Sequence, residues 1–153
     1  MSSCGVCFQH RDSFQRQHYE ISRGPLWVLR HHPDPAPLVG WLLLDARRHL
    51  GGALDFKAEE AIAWGPAVQQ ASLLVQAVTG CDRVYAIAFG EGAQHLHLHL
   101  IPRFAGDQAS SAWNVADLYR AMAADPRAAA SPEAVRCCVK QCQNRWSSSG
   151  WSL

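Results

Sequence analysis

The order of elements along the chain predicts an α+β fold. Three short apolar runs with brief connections come first, then one long helical stretch, and then two further strand-like runs ahead of a helical end. At 153 residues and 48% hydrophobic content, the chain is long enough for one core, and a single domain over 1–153 is expected.

The opening MSSCGVCFQHRDSF is polar and turn-rich and reads as loop. YEIS (19–22), LWVLRH (26–31) and GWLLLDAR (40–47) read as strands, interrupted by Gly24-Pro25 and the proline-rich HHPDPAPLVG, which suggests an antiparallel meander. From Asp55, DFKAEEAIAWGPAVQQASLLVQAVTG has a candidate N-cap, acids in its first turns and Gly80 as a stop. Trp64, Val68, Ala71, Val75 and Val78 recur at helical spacing and form its core face, while Gly65-Pro66 predicts a kink or break.

DRVYAIAFGEG (82–92) and HLHLHLIPR (95–103) complete the strands, joined by a tight GEGA turn. SAWNVADLYRAMAA (111–124) and SPEAVRCCVKQCQNRW (131–146) form short C-terminal helices, the second capped by Ser131 with Pro132 in first position. The SSSGWSL end is expected to be mobile unless Trp151 docks.

Composition excludes several function classes. A net charge of +1, with acids and bases mixed, offers no basic stripe for nucleic acid, so a small molecule or another protein is the expected partner. No apolar run approaches the roughly 18 residues that a membrane helix needs. No secretory signal is visible at the N-terminus, so a cytoplasmic location is expected, and with it six reduced cysteines.

The chemistry lies in QHLHLHLIPR. Alternation in a strand places His95, His97 and His99 on one face about 6.5–7 Å apart, with Leu96, Leu98 and Leu100 packed under the helix. An imidazole titrating near ~6.5 is a neutral nucleophile at physiological pH. It can attack phosphorus, hold the transferred group and release it to water. A metal site using the same histidines is the competing reading of the spacing.

HLHLHLI fits His-φ-His-φ-His-φ-φ (φ apolar), and with the following PRFAGD it resembles the histidine-triad family in its diadenosine polyphosphate hydrolase type. GWLLLDARRHL is similar to the family's third strand, and the helix and VYAIAFGEG fall where the family has its own, so the likeness covers about 4–104 and leaves the 111–146 helices as an extension.

The resemblance implies a five-stranded antiparallel sheet packed against the long helix, usually as a homodimer. It further implies a nucleotide hydrolase or nucleotidyl transferase acting at the α-phosphate, with His97 as nucleophile and His99 at the phosphate and leaving group. A nucleotide-binding module with little catalysis is the alternative. The zinc-bearing branch of the family has two N-terminal cysteines, a histidine after the third strand and the first triad histidine as ligands. Here these are Cys4, Cys7, His49 and His95, a structural Zn2+ set, with His10, His18, His31 and His32 as rivals.

Trp41 and Asp45-Ala46 depart from the family's pattern without touching the proposed chemistry. The GEGA turn lacks the hydroxyl or amide that holds phosphate oxygens in many relatives. Gly90 and Gly92 through their backbone N–H groups, with Gln94, are then the candidate phosphate contacts, whereas an inward Glu91 would repel phosphate. Arg47 and Arg48 are read as solvated charges or as attractors of an anionic substrate. Cys137, Cys138 and Cys142 are expected to be small buried or half-buried thiols.

Overall fold

The computed structural model describes residues 4–153. Two helices of one turn or two, α1 (Gly5–Arg11) and α2 (Ser13–Tyr19), replace the expected N-terminal loop. Each is nucleated by a side-chain cap. The Cys4 sulfur accepts from the Cys7 N–H, and the Asp12 carboxylate accepts from the Gln15 N–H.

The strands are β1 (Glu20–Arg23), β2 (Trp27–His31), β3 (Leu42–Ala46), β4 (Arg83–Ala88) and β5 (His97–Arg103). They form one antiparallel sheet in the order β1-β2-β3-β5-β4. The connection from β4 to β5 is wider than the tight turn expected, because the register closes at Ala88 opposite Leu98 and leaves 89–96 as a loop. His95 therefore precedes the strand instead of standing in it.

The long helix α3 (Ala58–Thr79) begins two residues later than the Asp55 cap suggests. Asp55 lies in a 3-10 turn, Ala53–Asp55, where its carboxylate accepts from the Gly51 N–H. The helix is capped by Lys57, with the Glu60 side chain reaching back to the Lys57 N–H at 2.7 Å. Nor does the helix break at Pro66. Proline deprives the Ile62 carbonyl of its partner, but both residues are solvent-exposed and water can take that carbonyl.

One sheet face packs on α3. Trp27, Leu29, Leu42, Leu44, Leu98 and Leu100 meet Ala67, Ala71, Leu74 and Val75, with Trp64, Val68 and Val78 at the margin. At about 1.5–3 kcal/mol for each large apolar side chain removed from water, this layer is the main stabilising term.

After α4 (Val115–Ala124), helix α5 (Pro132–Ser149) adds Val135, Cys138, Val139, Cys142 and Trp146 to the same core. Its Ser131 cap and Pro132 start are as expected. The tail docks through Trp151, whose ring lies 5.4 Å from that of Trp146.

Helix α4 packs on the opposite face of the sheet, against Trp41 and Ile101 through Val115, Leu118 and Tyr119. That face carries the histidines.

Candidate active site and metal centre

Paired residues of neighbouring strands share a face, so the pairings Asp45 with His97 and Leu43 with His99 place both histidines on the side away from α3. Their rings lie 5.1 Å apart, closer than the separation of their backbones. His95 leaves the row: its side chain is buried, and its ring centre is 4.9 Å from that of His49. The three histidines thus divide into one beside the cysteines and two beside a cavity.

Each triad ring has its protonation pattern set by a neighbour. His97 Nδ1 donates to the His95 carbonyl at 2.6 Å, which leaves Nε2 without a proton in the neutral ring. His99 Nδ1 accepts from the Trp41 indole N–H at 3.0 Å. Indole can only donate, so neutral His99 carries its proton on Nε2.

Burial, reinforced by the neighbouring His97, His32 and Arg30, pushes the His99 pKa down to about 3. The site therefore pairs a neutral N–H donor, His99, with a His97 ring whose neutral form presents a bare Nε2. Trp41, read from the sequence as remote from the chemistry, fixes that donor.

A cavity of about 340 Å3 adjoins the pair, lined by Trp41, Phe89, Glu91, Gly92, His97, His99, Val115, Ala116 and Tyr119. Its α4 wall lies outside the stretch that carries the sequence motifs. The Tyr119 ring stands 5.3 Å from Trp41 and 6.2 Å from His99, and its hydroxyl donates to His32 Nε2 at 2.8 Å. Burial pushes that hydroxyl's pKa up to about 12, so it remains a donor.

Of the expected phosphate contacts, Gly92 and His99 line this cavity. Gly90 lines a neighbouring one with Gly51, Gly52 and His95, and Gln94 is exposed.

Asp45 also belongs to the setting of His97 and is fully buried. Arg30 Nε donates to Asp45 Oδ2 at 2.6 Å, and His10 Nε2 lies 2.9 Å from the same oxygen. Burial by itself would raise the Asp45 pKa, but the Arg30 charge and the hydrogen bonds from His10 and Arg30 outweigh it and hold the carboxyl ionised below its ordinary range.

Asp45, expected only to alter the strand, thus forms a buried ion pair with Arg30 in register with the nucleophile candidate. Replacing Arg30 by methionine leaves that buried carboxylate with His10 as its one remaining partner and should cost about 3 kcal/mol in urea unfolding. Adding Asp45→Leu should restore most of it. An unchanged midpoint in the single variant would show that the pair does not stabilise the fold.

The rival histidines are engaged elsewhere. His31 is buried, donating from Nδ1 to the His32 carbonyl and accepting the Gly40 N–H on Nε2. Its place is in the core, not beside a ligand. His18 stacks on Phe14. Arg48 pairs with Glu60, and Arg47 donates to the Gly24 carbonyl, so both guanidinium groups have structural partners. Cys138 and Cys142 are buried and Cys137 is exposed.

Cys4, Cys7, His49 and His95 converge so that their ligand atoms all lie within 4.8 Å of one another. Cys7 Sγ is 3.4 Å from His49 Nδ1 and 3.3 Å from His95 Nδ1, and Cys4 Sγ is 3.5 Å from His95 Nδ1. Tetrahedral coordination with metal–sulfur and metal–nitrogen bonds near ~2.3 and ~2.0 Å gives sulfur–nitrogen edges of about 3.5 Å, so the donors fit a metal ion.

His95 Nε2 donates to the Ala46 carbonyl at 2.7 Å, which fixes the ring with its Nδ1 lone pair towards the cysteines. Among the described residues, His97 and His99 are in no such group.

No family model matches the sequence, and no curated protein matches it. Solved structures do match the fold. A Zn-bound histidine triad family protein from Mycobacterium smegmatis superposes with a TM-score of 0.58 at 16% identity, over 93% of this chain and 96% of that one. A HIT-like protein involved in cell-cycle regulation from Bartonella henselae gives 0.58 at 17% identity, over 88% and 96%. A histidine triad protein from Bradyrhizobium japonicum gives 0.53 at 21%, over 84% and 96%. With the sheet order, the long helix and the motif at 95–101 in agreement, this chain has the histidine-triad fold.

Proposed function

We propose that the protein is a nucleotide-binding hydrolase or nucleotidyl transferase acting at the α-phosphate of a nucleotide conjugate. The observation that carries this reading is the tautomer of His97: its Nδ1 is committed to the His95 carbonyl, and the ring lines a cavity that it shares with an N–H donor, His99.

In this reading His97 Nε2 attacks the α-phosphorus in line with the leaving group. The phosphorus–leaving-group bond breaks, and its electron pair departs with the leaving group, which is protonated from water. Water or another acceptor then attacks the nucleotidyl-His97, and the ring is released unchanged as the incoming hydroxyl gives up its proton. The His99 Nε2–H and the Gly92 backbone N–H donate to the non-bridging oxygens, where negative charge concentrates.

Zn2+ at Cys4, Cys7, His49 and His95 is assigned a structural role. Two thiolates and two imidazoles would fill all four ligand positions such an ion takes and leave none open for substrate. We further propose a cytoplasmic homodimer without a nucleic-acid partner, as the fold resemblance and the mixed charge suggest; among the described residues no helix is long and apolar enough to cross a membrane.

The test is the release of nucleoside monophosphate from a panel of dinucleoside polyphosphates and nucleotide phosphoramidates. Release supports the reading. Nucleotide binding with no release across the panel selects the alternative of a binding or sensing module, which the acidic Glu91 in the cavity wall favours.

A further inference from the structure

We infer that Glu91 is a specificity residue and that the cavity beside His97 receives an amine-bearing, partly apolar leaving group in preference to a phosphate chain. This rests on the proposed action at the α-phosphate and names the class of conjugate that the site takes.

The argument starts from the wall chemistry. Trp41, Phe89, Val115 and Tyr119 supply apolar and aromatic surface, and Glu91 is the one carboxylate. Among the described residues no lysine or arginine lines the cavity. His99, its pKa pushed down to about 3 by burial, adds no positive charge at neutral pH. Glu91 is therefore the acidic side chain that meets an incoming leaving group with no lysine or arginine beside it, and an α-phosphate held at His97 adds further negative charge.

A leaving group made of further phosphates would bring two or more negative charges towards Glu91 with no side-chain cation to offset them. A nucleoside would fill the aromatic wall and leave the carboxylate without a counter-charge. An organic amine answers both features, because its ammonium offsets Glu91 while its carbon skeleton lies against Trp41, Phe89 and Tyr119. The apolar walls strengthen this discrimination by displacing water from around the charges.

The Glu91 backbone lies in the 89–96 loop, which is held by its ends at β4 and β5, so exchange of its side chain leaves the sheet pairing intact. Glu91 is solvent-exposed, and among the described residues its side chain has no hydrogen-bond or ion-pair partner, so replacing it tests charge without dismantling a network.

The experiment uses the full-length, metal-loaded protein and three conjugates of adenosine monophosphate. The first is linked through a P–N bond to 1,4-diaminobutane, with a free terminal ammonium. The second carries n-pentylamine, of similar length and without charge. The third is diadenosine tetraphosphate. For the native chain, kcat/KM should fall in that order, with the ammonium conjugate ahead of the neutral one by about fivefold, the size expected of a partly hydrated charge pair.

Glu91→Gln should erase the difference between the two amines, and Glu91→Lys should favour the tetraphosphate, with circular dichroism and metal content unchanged. Equal rates on the two amines by the native chain would overturn the inference while leaving action at the α-phosphate standing. So would a uniform rise in KM for all three conjugates in Glu91→Gln, which would assign the carboxylate to the shared nucleoside. Failure of the native chain to cleave any of the three would bring down the proposed function as well.

Discussion

A Cys7→Ser chain is expected to lose its metal ion and lose at least about 3 kcal/mol of stability, a fall in Tm of roughly 6–12 °C for a chain of this length. The argument begins with how little else holds the N-terminal segment. Helix α1 has seven residues, too few to persist alone, and Val6 is its one buried apolar side chain. The cysteines at its start and the His10 contact at its end tie it to the sheet.

In the proposed metal-bound state, loss of the ion would release the first tie of α1. Its departure would uncover the Asp45–Arg30 pair, which is buried beneath His10. The loss therefore exceeds that of one surface cap and spreads into the sheet beside His97. Elemental analysis and calorimetry on the two chains check this, with exposed Cys137→Ser as the control. One metal ion per native chain, none in Cys7→Ser and no change in the control is the expected pattern. Retention of metal and Tm by Cys7→Ser would remove the metal from the account of stability.

His97→Ala is expected to lower kcat/KM by about 10^4-fold or more while the protein remains folded. Removing an attacking group leaves only the binding and electrostatic contributions of the site, and losses of that size are typical when a nucleophile is deleted. The fold should tolerate the change because the His97 ring is only half-buried and its hydrogen bond is to one local carbonyl. Tm should move by no more than a few degrees.

His99→Ala is a different perturbation. That ring is buried against Trp41, Phe89 and Tyr119, so its loss empties a packed site as well as removing the Nε2–H donor. Comparing kcat/KM with Tm across the two variants separates chemistry from packing.

The parts of this architecture that sequence made legible are those set by period. Alternation in LHLHL placed Leu98 and Leu100 under the long helix, and the spacing of Ala71 and Val75 identified the helix face that meets them. Ser131 and Pro132 marked the start of α5 because capping is chemistry local to three residues. The convergence of Cys4, Cys7, His49 and His95 was legible only through resemblance, since the outermost donors are 91 positions apart and no local pattern joins all four.

What escaped depends on contacts between distant segments. Pro66 reads as a helix breaker from its own geometry, yet its consequence depends on Ile62 and Pro66 lying on the exposed face of the helix, where water can reach the freed carbonyl. Asp45 reads as an oddity in an apolar strand until Arg30 is known to lie in the neighbouring strand and His10 above it. One signal was available: Arg30 within the apolar LWVLRH asks for a buried counter-charge, and Asp45 within WLLLDA asks for the same. Tyr119 could not be placed by such reasoning, because nothing in the helical pattern of 115–124 says which sheet face α4 covers.

The most direct measurement is the intact mass of the protein after brief acid quench with a nucleotide conjugate, followed by peptide mapping. The account predicts a gain equal to one nucleoside monophosphate, located on the peptide holding His97 and absent from the His97→Ala chain. Turnover with no such adduct at any quench time, or an adduct on a residue other than His97, would contradict it.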